Sequence, residues 1–252
     1  MLSPTVSVII PTYNAQSTII RVIESVLNQK FSNLEILIVD DKSTDKTVKT
    51  VKKRFPNLSI IELPENLGVA NARNEGIRLS RGKYIAFLDS DDLWNEEKLL
   101  YQITFMERKN CDASCTYVEY GTFQDQGFVG SYIKEPEFVY SLDNYKDLLI
   151  DNKIITSSVV LKKSKIKNIK FPNLRNRQDL VFWCTLIKSG VNFYGLNKIL
   201  VTYDLGYSGI SSNKLKMLRF NYLAFKNILD SRIELIYYFT LNVLSNAIRS
   251  IK

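Results

Sequence analysis

Histidine is absent from the 252-residue chain. That excludes every catalytic scheme built on an imidazole, Ser-His-Asp and Cys-His included, and removes the commonest nitrogen ligand of zinc. Acid–base work falls to Asp, Glu, Lys or Tyr. Cysteine is scarce: Cys111, Cys115 and Cys184 cannot all pair internally and show no repeated CxxC spacing, so a disulfide framework or zinc ribbon is not expected. Free thiols and the lack of an export signal lead to the expectation of a cytoplasmic protein. No uninterrupted apolar run reaches the ~18 residues of a membrane span. No Pro- or Gly-rich linker and no internal repeat divides the chain. Neither GxGxxG after the first strand nor GxxxxGK[ST] anywhere is found, so the dinucleotide fingerprint and the P-loop are both missing.

What the chain has is an ordinary globular composition, 45% hydrophobic and 24% charged, which excludes a mostly disordered or collagen-like chain. The net charge of +8 favours anionic partners: nucleic acid, nucleotides or an anionic membrane surface. The excess is concentrated at the end, where residues 214–252 carry seven Lys/Arg against Asp230 and Glu234.

The first hundred residues alternate between two periods. A continuous apolar β-branched run at 6–10 and a second stretch at 34–39 read as buried strands, and 58–61 and 83–88 as two more strands. Between them, apolar residues at helical spacing predict helices over 17–29, 45–55 and 69–79, with Ser17 or Thr18 as an N-cap of the first and Ser43 and Asp45 as possible caps of the second. Such a βα repeat predicts a mostly parallel sheet covered on both faces. The second half mixes helices at 96–108 and 180–188 with strands at 113–120, 157–161 and 198–203, a loop or hairpin over 121–141, and a helical, basic, aromatic tail beyond 214.

Ligands of an open parallel sheet bind beyond the carboxyl ends of its strands. There the chain places Pro11-Thr12-Tyr13-Asn14, Asp40-Asp41-Lys42-Ser43 and Asp89-Ser90-Asp91-Asp92. Carboxylates crowded at one edge need a cation or hydrogen-bond donors between them, and Asp89 and Asp91, one residue apart, suit a hard divalent ion.

VSVIIPTYNA, LEILIVDDKSTDKT, ENLGVANARNEGI and GKYIAFLDSDDLW, in that order and spacing, resemble the family 2 glycosyltransferases of the GT-A fold across roughly residues 5–105. Arg177-Gln178-Asp179-Leu180-Val181-Phe182-Trp183 resembles that family's "ED" segment, with Gln178 in place of Glu. The resemblance implies a mostly parallel α/β sheet flanked by helices, with a nucleotide-sugar half at 1–105, a smaller mixed acceptor half at 106–213 and the tail at 214–252. It implies that Pro11, Thr12 and Tyr13 line the base and ribose, and that Asp41 accepts from the base. Asn71 and Arg73 would face the diphosphate or sugar, although Arg73 has Glu75 and Asp92 as alternative partners. Asp89 and Asp91 match the DxD motif: one touches the ribose or sugar and the other binds Mg²⁺ or Mn²⁺, with Ser90 on the ribose and Asp92 capping the next helix.

The implied reaction is sugar transfer with inversion from a nucleotide-sugar, a UDP-sugar favoured, to a hydroxyl of a saccharide or lipid-linked acceptor in surface polysaccharide synthesis. Asp179 is the expected proton acceptor, with helix N-capping as its alternative role. Trp183 would either stack on a sugar or fill the core. Relatives often carry a late His as a further metal ligand; here that stretch is Val201 to Ser211, with Asp204 or water as the substitute. Thr156-Ser157-Ser158 would line the acceptor pocket or form a solvated strand start, and the lysines at 162, 163, 165, 167 and 170 a solvated loop or an anion-attracting patch. The tail would either pack, on the domain or on a second copy in a homodimer, or lie on the inner face of the cell membrane. Competing readings are a nucleic-acid-binding module, disfavoured because the acids cluster at the ligand edge, a non-catalytic nucleotide-sugar binder, and a nucleotidyltransferase.

Overall fold

A computed structural model describes residues 3–124, 127–133, 141–205 and 214–249. β1 (Val6–Thr12), β2 (Leu34–Asp40), β3 (Ile60–Glu62) and β4 (Tyr84–Phe87) are joined by α1 (Ile19–Leu27), α2 (Thr47–Arg54) and α3 (Val69–Leu79). These strands pair in parallel in the order β3-β2-β1-β4. All seven residues of β1 are buried, because helices cover both of its faces and an alternating pattern has no solvent side to serve. Register sets the ligand edge: Thr12 lies opposite Asp40, and Ile9 opposite Phe87, so the chain leaving β4 runs beside the chain leaving β1.

The remaining elements are β5 (Leu93–Trp94), α4 (Lys98–Lys109), β6 (Ala113–Gln124), β7 (Gly127–Ile133), α5 (Tyr145–Ile150), β8 (Val160–Lys162), α6 (Gln178–Lys188), β9 (Phe193–Asp204), α7 (Lys214–Ile228) and α8 (Arg232–Arg249). β8 inserts antiparallel between β4 and β6, and β9 continues from β6 in parallel, so one sheet of order β3-β2-β1-β4-β8-β6-β9-β5 runs through both halves. β6 and β7 form the hairpin expected near 121–141; residues 125–126 and 134–140 lie outside the described residues, as do 206–213 and 250–252.

Two apolar layers cover the sheet, and alternate residues of each strand serve opposite layers. Val8, Ile10, Tyr84 and Ala86 pack with α1 and α4. Ile9, Ile85 and Phe87 pack with α6 and with Ala224, Phe225 and Leu235 of the last two helices. The strand expected at 157–161 begins later: Thr156–Ser158 is a buried 3₁₀ turn, and the ladder starts at Val160. The lysine run is largely structural. Lys162 and Lys165 both pair with Asp112, at 3.3 and 3.1 Å, and Lys163 donates to the Ser80 carbonyl.

Candidate active site

The carboxyl ends of β1 and β2 are tied together by their own side chains. The Asp41 N–H donates to the Thr12 carbonyl at 2.8 Å. Ser43 donates to Asp40 at 2.5 Å and accepts from the Asn14 N–H at 2.9 Å. Asn14, in the left-handed region at φ 49°, accepts from the Thr44 N–H at 2.8 Å. Ser43 therefore ties strand exits together instead of capping α2. The N–H and hydroxyl of Thr47, at the start of α2, are taken by Asp45. Pro11 and Thr12 are buried, whereas Tyr13 is 47% exposed.

Asp41 is buried and each of its oxygens accepts a backbone N–H, from Leu67 and Gly68, both at 2.8 Å. This carboxylate sits at the N-terminus of α3, where the helix dipole favours negative charge. Gly68 turns the chain at φ +86°, a conformation that costs side-chain-bearing residues. Asn71 donates to the Leu67 carbonyl at 2.6 Å and closes the same turn. Each Asp41 oxygen retains a second lone pair for a donor from outside.

Arg73, only 4% exposed, joins α3 to β4. Its guanidinium meets Asp89 at 2.5 Å and lies over the Phe171 ring, 5.3 Å from the centroid. The alternative partners weighed from sequence are not used: Glu75 pairs with Arg78 at 2.6 Å, and Asp92 lies in a separate network. The Arg73 Nε and Nη1 groups are buried without a partner among the described residues, so two charged donors remain beside Asp89.

The Asp89-Ser90-Asp91-Asp92 loop is clamped from three directions. The Ser90 carbonyl accepts from Thr18 at 2.6 Å; Thr18 sits at the N-cap of α1 but makes no capping bond. The Ser157 hydroxyl accepts the Asp89 N–H at 3.0 Å and donates to Asp92 at 2.5 Å. The other Asp92 oxygen accepts the Asp204 N–H at 3.1 Å. Asp92 is therefore a buried tie between β4 and β9, not a helix cap; Glu97 holds the N-cap position of α4. Burial and the neighbouring Asp91 and Asp89 charges push its carboxyl well above the usual range. Asp91 keeps an exposed surface yet stands among crowded groups. Desolvation, then the Asp89 charge, raise it to about 6. Asp204, the candidate substitute for the missing His, is held by Arg21 at 2.7 Å, while its charge still reaches Asp91.

Asp179 lies in the first turn of α6, half-buried. The N-cap is Arg177, in the left-handed region at φ 62°, so Asp179 is not the cap. No side-chain hydrogen bond joins Asp179 to the described residues. An aromatic cluster links α6 to Arg73: Phe171, under Arg73, stacks on Phe182 at 3.9 Å and meets Trp183 edge-on at 5.9 Å. Trp183 is fully buried among Phe87, Phe171, Phe182 and Phe193, so it is core and cannot stack on a sugar. Thr18, read from sequence as a helix cap, and Ser157, read as acceptor-pocket lining or a strand start, instead clamp the Asp89 loop through partners more than 60 positions away, beyond any local signal.

Among the described residues no group of three His, Cys, Asp or Glu side chains is arranged to hold a metal ion. Asp89 and Asp91 offer oxygen donors suited to Mg²⁺ or Mn²⁺. Magnesium is commonly held by one or two carboxylates, with phosphate and water completing the shell. The residues present fit a cation shared with a diphosphate. A cleft of about 770 Å³, lined by Leu27, Leu34, Ile36, Leu58 and Ile61 among others, contains none of these carboxylates; chemistry, not volume, locates the site.

The chain matches the model of Glycosyl transferase family 2 over residues 7–168. TuaG of Bacillus subtilis (strain 168), named for teichuronic acid biosynthesis, is 37% identical over 228 residues, covering 89% of this chain and 88% of its own. The Escherichia coli UDP-Glc:alpha-D-GlcNAc-diphosphoundecaprenol beta-1,3-glucosyltransferase WfaP is 34% identical over 246 residues, covering 94% and 93%. The structure of S. aureus TarS 1-349 in complex with UDP-GlcNAc superposes with a TM-score of 0.73 at 22% identity, covering 94% of this chain and 70% of that one. Mannosyltransferase PcManGT from Pyrobaculum calidifontis, in complex with GDP-Man and Mn2+, gives 0.69 at 16% identity, covering 99% and 76%.

Proposed function

The chain belongs to glycosyl transferase family 2, of the bacterial surface-polysaccharide type, and from that premise we propose that it transfers a sugar from a UDP-sugar to a hydroxyl of a lipid-linked saccharide, with inversion. The observation that carries this reading is the Arg73–Asp89 pair beside Asp91, at the carboxyl edge of a sheet that lacks any phosphate-binding glycine loop. Residues 1–105 form the donor half and 106–213 the acceptor half.

Tyr13 borders the base, and the free lone pairs of Asp41 accept its imide N–H. Asn71 and the two unpartnered Arg73 donors face the diphosphate, with Ser90 near the ribose. Asp89 and Asp91 would hold Mg²⁺ or Mn²⁺, which, when bound, would supply Lewis-acid stabilisation to the departing diphosphate. Asp179 accepts the proton of the attacking hydroxyl. The hydroxyl oxygen bonds the anomeric carbon from the face opposite UDP, and the electron pair of the broken C–O bond leaves on the β-phosphate. The Asp179 side chain accepts no hydrogen bond from the described residues and is half-buried in the first turn of α6, which leaves its oxygens open to an acceptor hydroxyl. The acceptor reading draws on the diphosphoundecaprenol substrate in the name of WfaP.

Thermal melting with UDP, GDP, CDP and ADP, each with and without Mn²⁺, tests the donor assignment. A ligand that binds only the folded state raises the melting temperature. UDP with Mn²⁺ is expected to give the largest rise; an equal rise with every nucleotide, or none with UDP, contradicts it.

A further inference from the structure

The inner face of the α7–α8 hairpin is fully engaged. Ala224, Phe225, Ile228, Leu229 and Leu235 join the apolar layer that contains Phe182 and Trp183. A polar ladder crosses the same interface. Arg177 Nε donates to Asn221 at 2.7 Å, Asn221 to Asn242 at 2.9 Å, and Asn242 to the Leu149 carbonyl at 2.8 Å. Asn221 and Asn242 are buried, and paired polar groups in a core fix register. The hairpin is thus locked to the residue that immediately precedes Gln178 and Asp179.

The outer face is of another kind. Ile233, Ile236, Tyr237, Leu244 and Ile248 are 80, 67, 57, 54 and 60% exposed, and their spacing puts them on one stripe of α8. On α7 the exposed side is Arg219, Tyr222, Leu223 and Lys226, and Arg232 opens α8. The two acids of the hairpin are occupied: Asp230 with Lys188 at 2.9 Å and Glu234 with Lys146 at 2.6 Å. Scattered apolar residues on a surface are ordinary, whereas a continuous stripe marks a contact surface.

Three occupants can be weighed on charge. A second copy meeting this face symmetrically would set Arg219, Lys226 and Arg232 against themselves. Insertion across a bilayer is not available, since among the described residues no helix is long and apolar enough to cross one. An anionic lipid surface satisfies both halves of the pattern, taking the apolar stripe into the headgroup boundary and pairing the cations with phosphates. We propose that the outer face of the α7–α8 hairpin docks on anionic lipid, lying along the bilayer surface and holding the Asp179 segment at a set height above it. This deepens the lipid-linked acceptor reading and rests on it for its purpose, but its test uses no transfer reaction.

The test is flotation of the full chain with phosphatidylcholine vesicles and with vesicles of phosphatidylcholine and phosphatidylglycerol, at low and high salt. The intact protein is expected to float with anionic vesicles at low salt, at least about tenfold more than with neutral ones. Two sets of substitutions are expected to weaken this at least about tenfold: Ile233→Ser with Ile236→Ser and Leu244→Ser, and Arg219→Glu with Lys226→Glu. All are exposed positions, and unchanged melting checks that the variants fold. Absence of folded wild-type protein from anionic vesicles at low salt overturns the proposal. So does flotation untouched by both sets, or a sedimenting dimer that the serine set dissolves, which would assign the face to a second copy. Failure to float with the UDP-induced melting rise intact would sink the docking alone, and the reverse pair of results would sink the donor reading alone.

Discussion

Replacing Asp91 by Asn should stabilise the ligand-free protein at alkaline pH while removing its metal-dependent UDP binding. The Asp91 carboxyl is raised from 3.8 to about 6, by desolvation first and then by the Asp89 charge. A folded-state pKa above the unfolded one means that the native state holds the proton more tightly. The associated stability is complete below the unfolded value and is lost as pH rises through the folded one. At pH 8 the ionised carboxylate therefore carries its full penalty, and at pH 3 it carries none. A displacement of about two units corresponds to about 3 kcal/mol, but Asp91 keeps an exposed surface, and solvent screening reduces this to about 1 kcal/mol. For a chain of this size that is a rise of about 2–4 °C in melting temperature. Melting curves of wild type and Asp91→Asn at pH 8 and at acid pH measure it, with calorimetric titration of UDP in Mn²⁺ alongside. The expected pattern is a gain at pH 8 that disappears on acidification, together with lost UDP affinity. An unchanged or lowered melting temperature at pH 8 would show that the carboxylates are not in conflict, and UDP binding as tight as wild type would remove Asp91 from the metal site.

Other substitutions probe separate parts of the account. Asp179→Asn should keep UDP binding and the wild-type melting temperature but lose on the order of 10²–10⁴ in transfer rate, as read by UDP release; near-normal turnover would make Asp179 structural. Ser157→Ala removes the donor to Asp92 and the acceptor of the Asp89 N–H and should cost about 1–3 kcal/mol in urea unfolding, with a larger loss of UDP affinity than Ser158→Ala. Trp183→Ala should cost about 3–5 kcal/mol, measured in the same way, because the indole is fully buried; an unchanged stability with a raised acceptor KM would restore the sugar-stacking role.

The parallel strands and their ligand edge were legible, though not the strand order, because parallel strands buried on both faces write themselves as largely apolar runs, and β1, β2 and β4 do so. The acids at their ends were legible for the same reason, since a run that stops on Asp40 or Asp89 marks an exit from the core. Partner choice was not legible. Arg73 pairs with Asp89, 16 residues away, instead of with Glu75, and Asp92 ties to Ser157 and Asp204 because β8 inserts antiparallel beside β4 and brings those elements over the loop. Trp183 could be read either way from helical spacing, and only the closing of Phe87, Phe171 and Phe193 around it makes it core. The two-helix tail was legible as amphipathic, while the Arg177–Asn221–Asn242 ladder that seats it was not, because its three members lie on different elements.

The measurement that bears most directly on the catalytic assignment is the anomeric configuration of the product, read by proton NMR. Wild type and Asp179→Asn would each be incubated with a panel of UDP-sugars, Mn²⁺ and a synthetic lipid-diphosphate-linked saccharide. The account predicts a product of inverted configuration from the wild type and a rate lower by on the order of 10²–10⁴ from Asp179→Asn. A product of retained configuration, or equal rates from the two proteins, would contradict it.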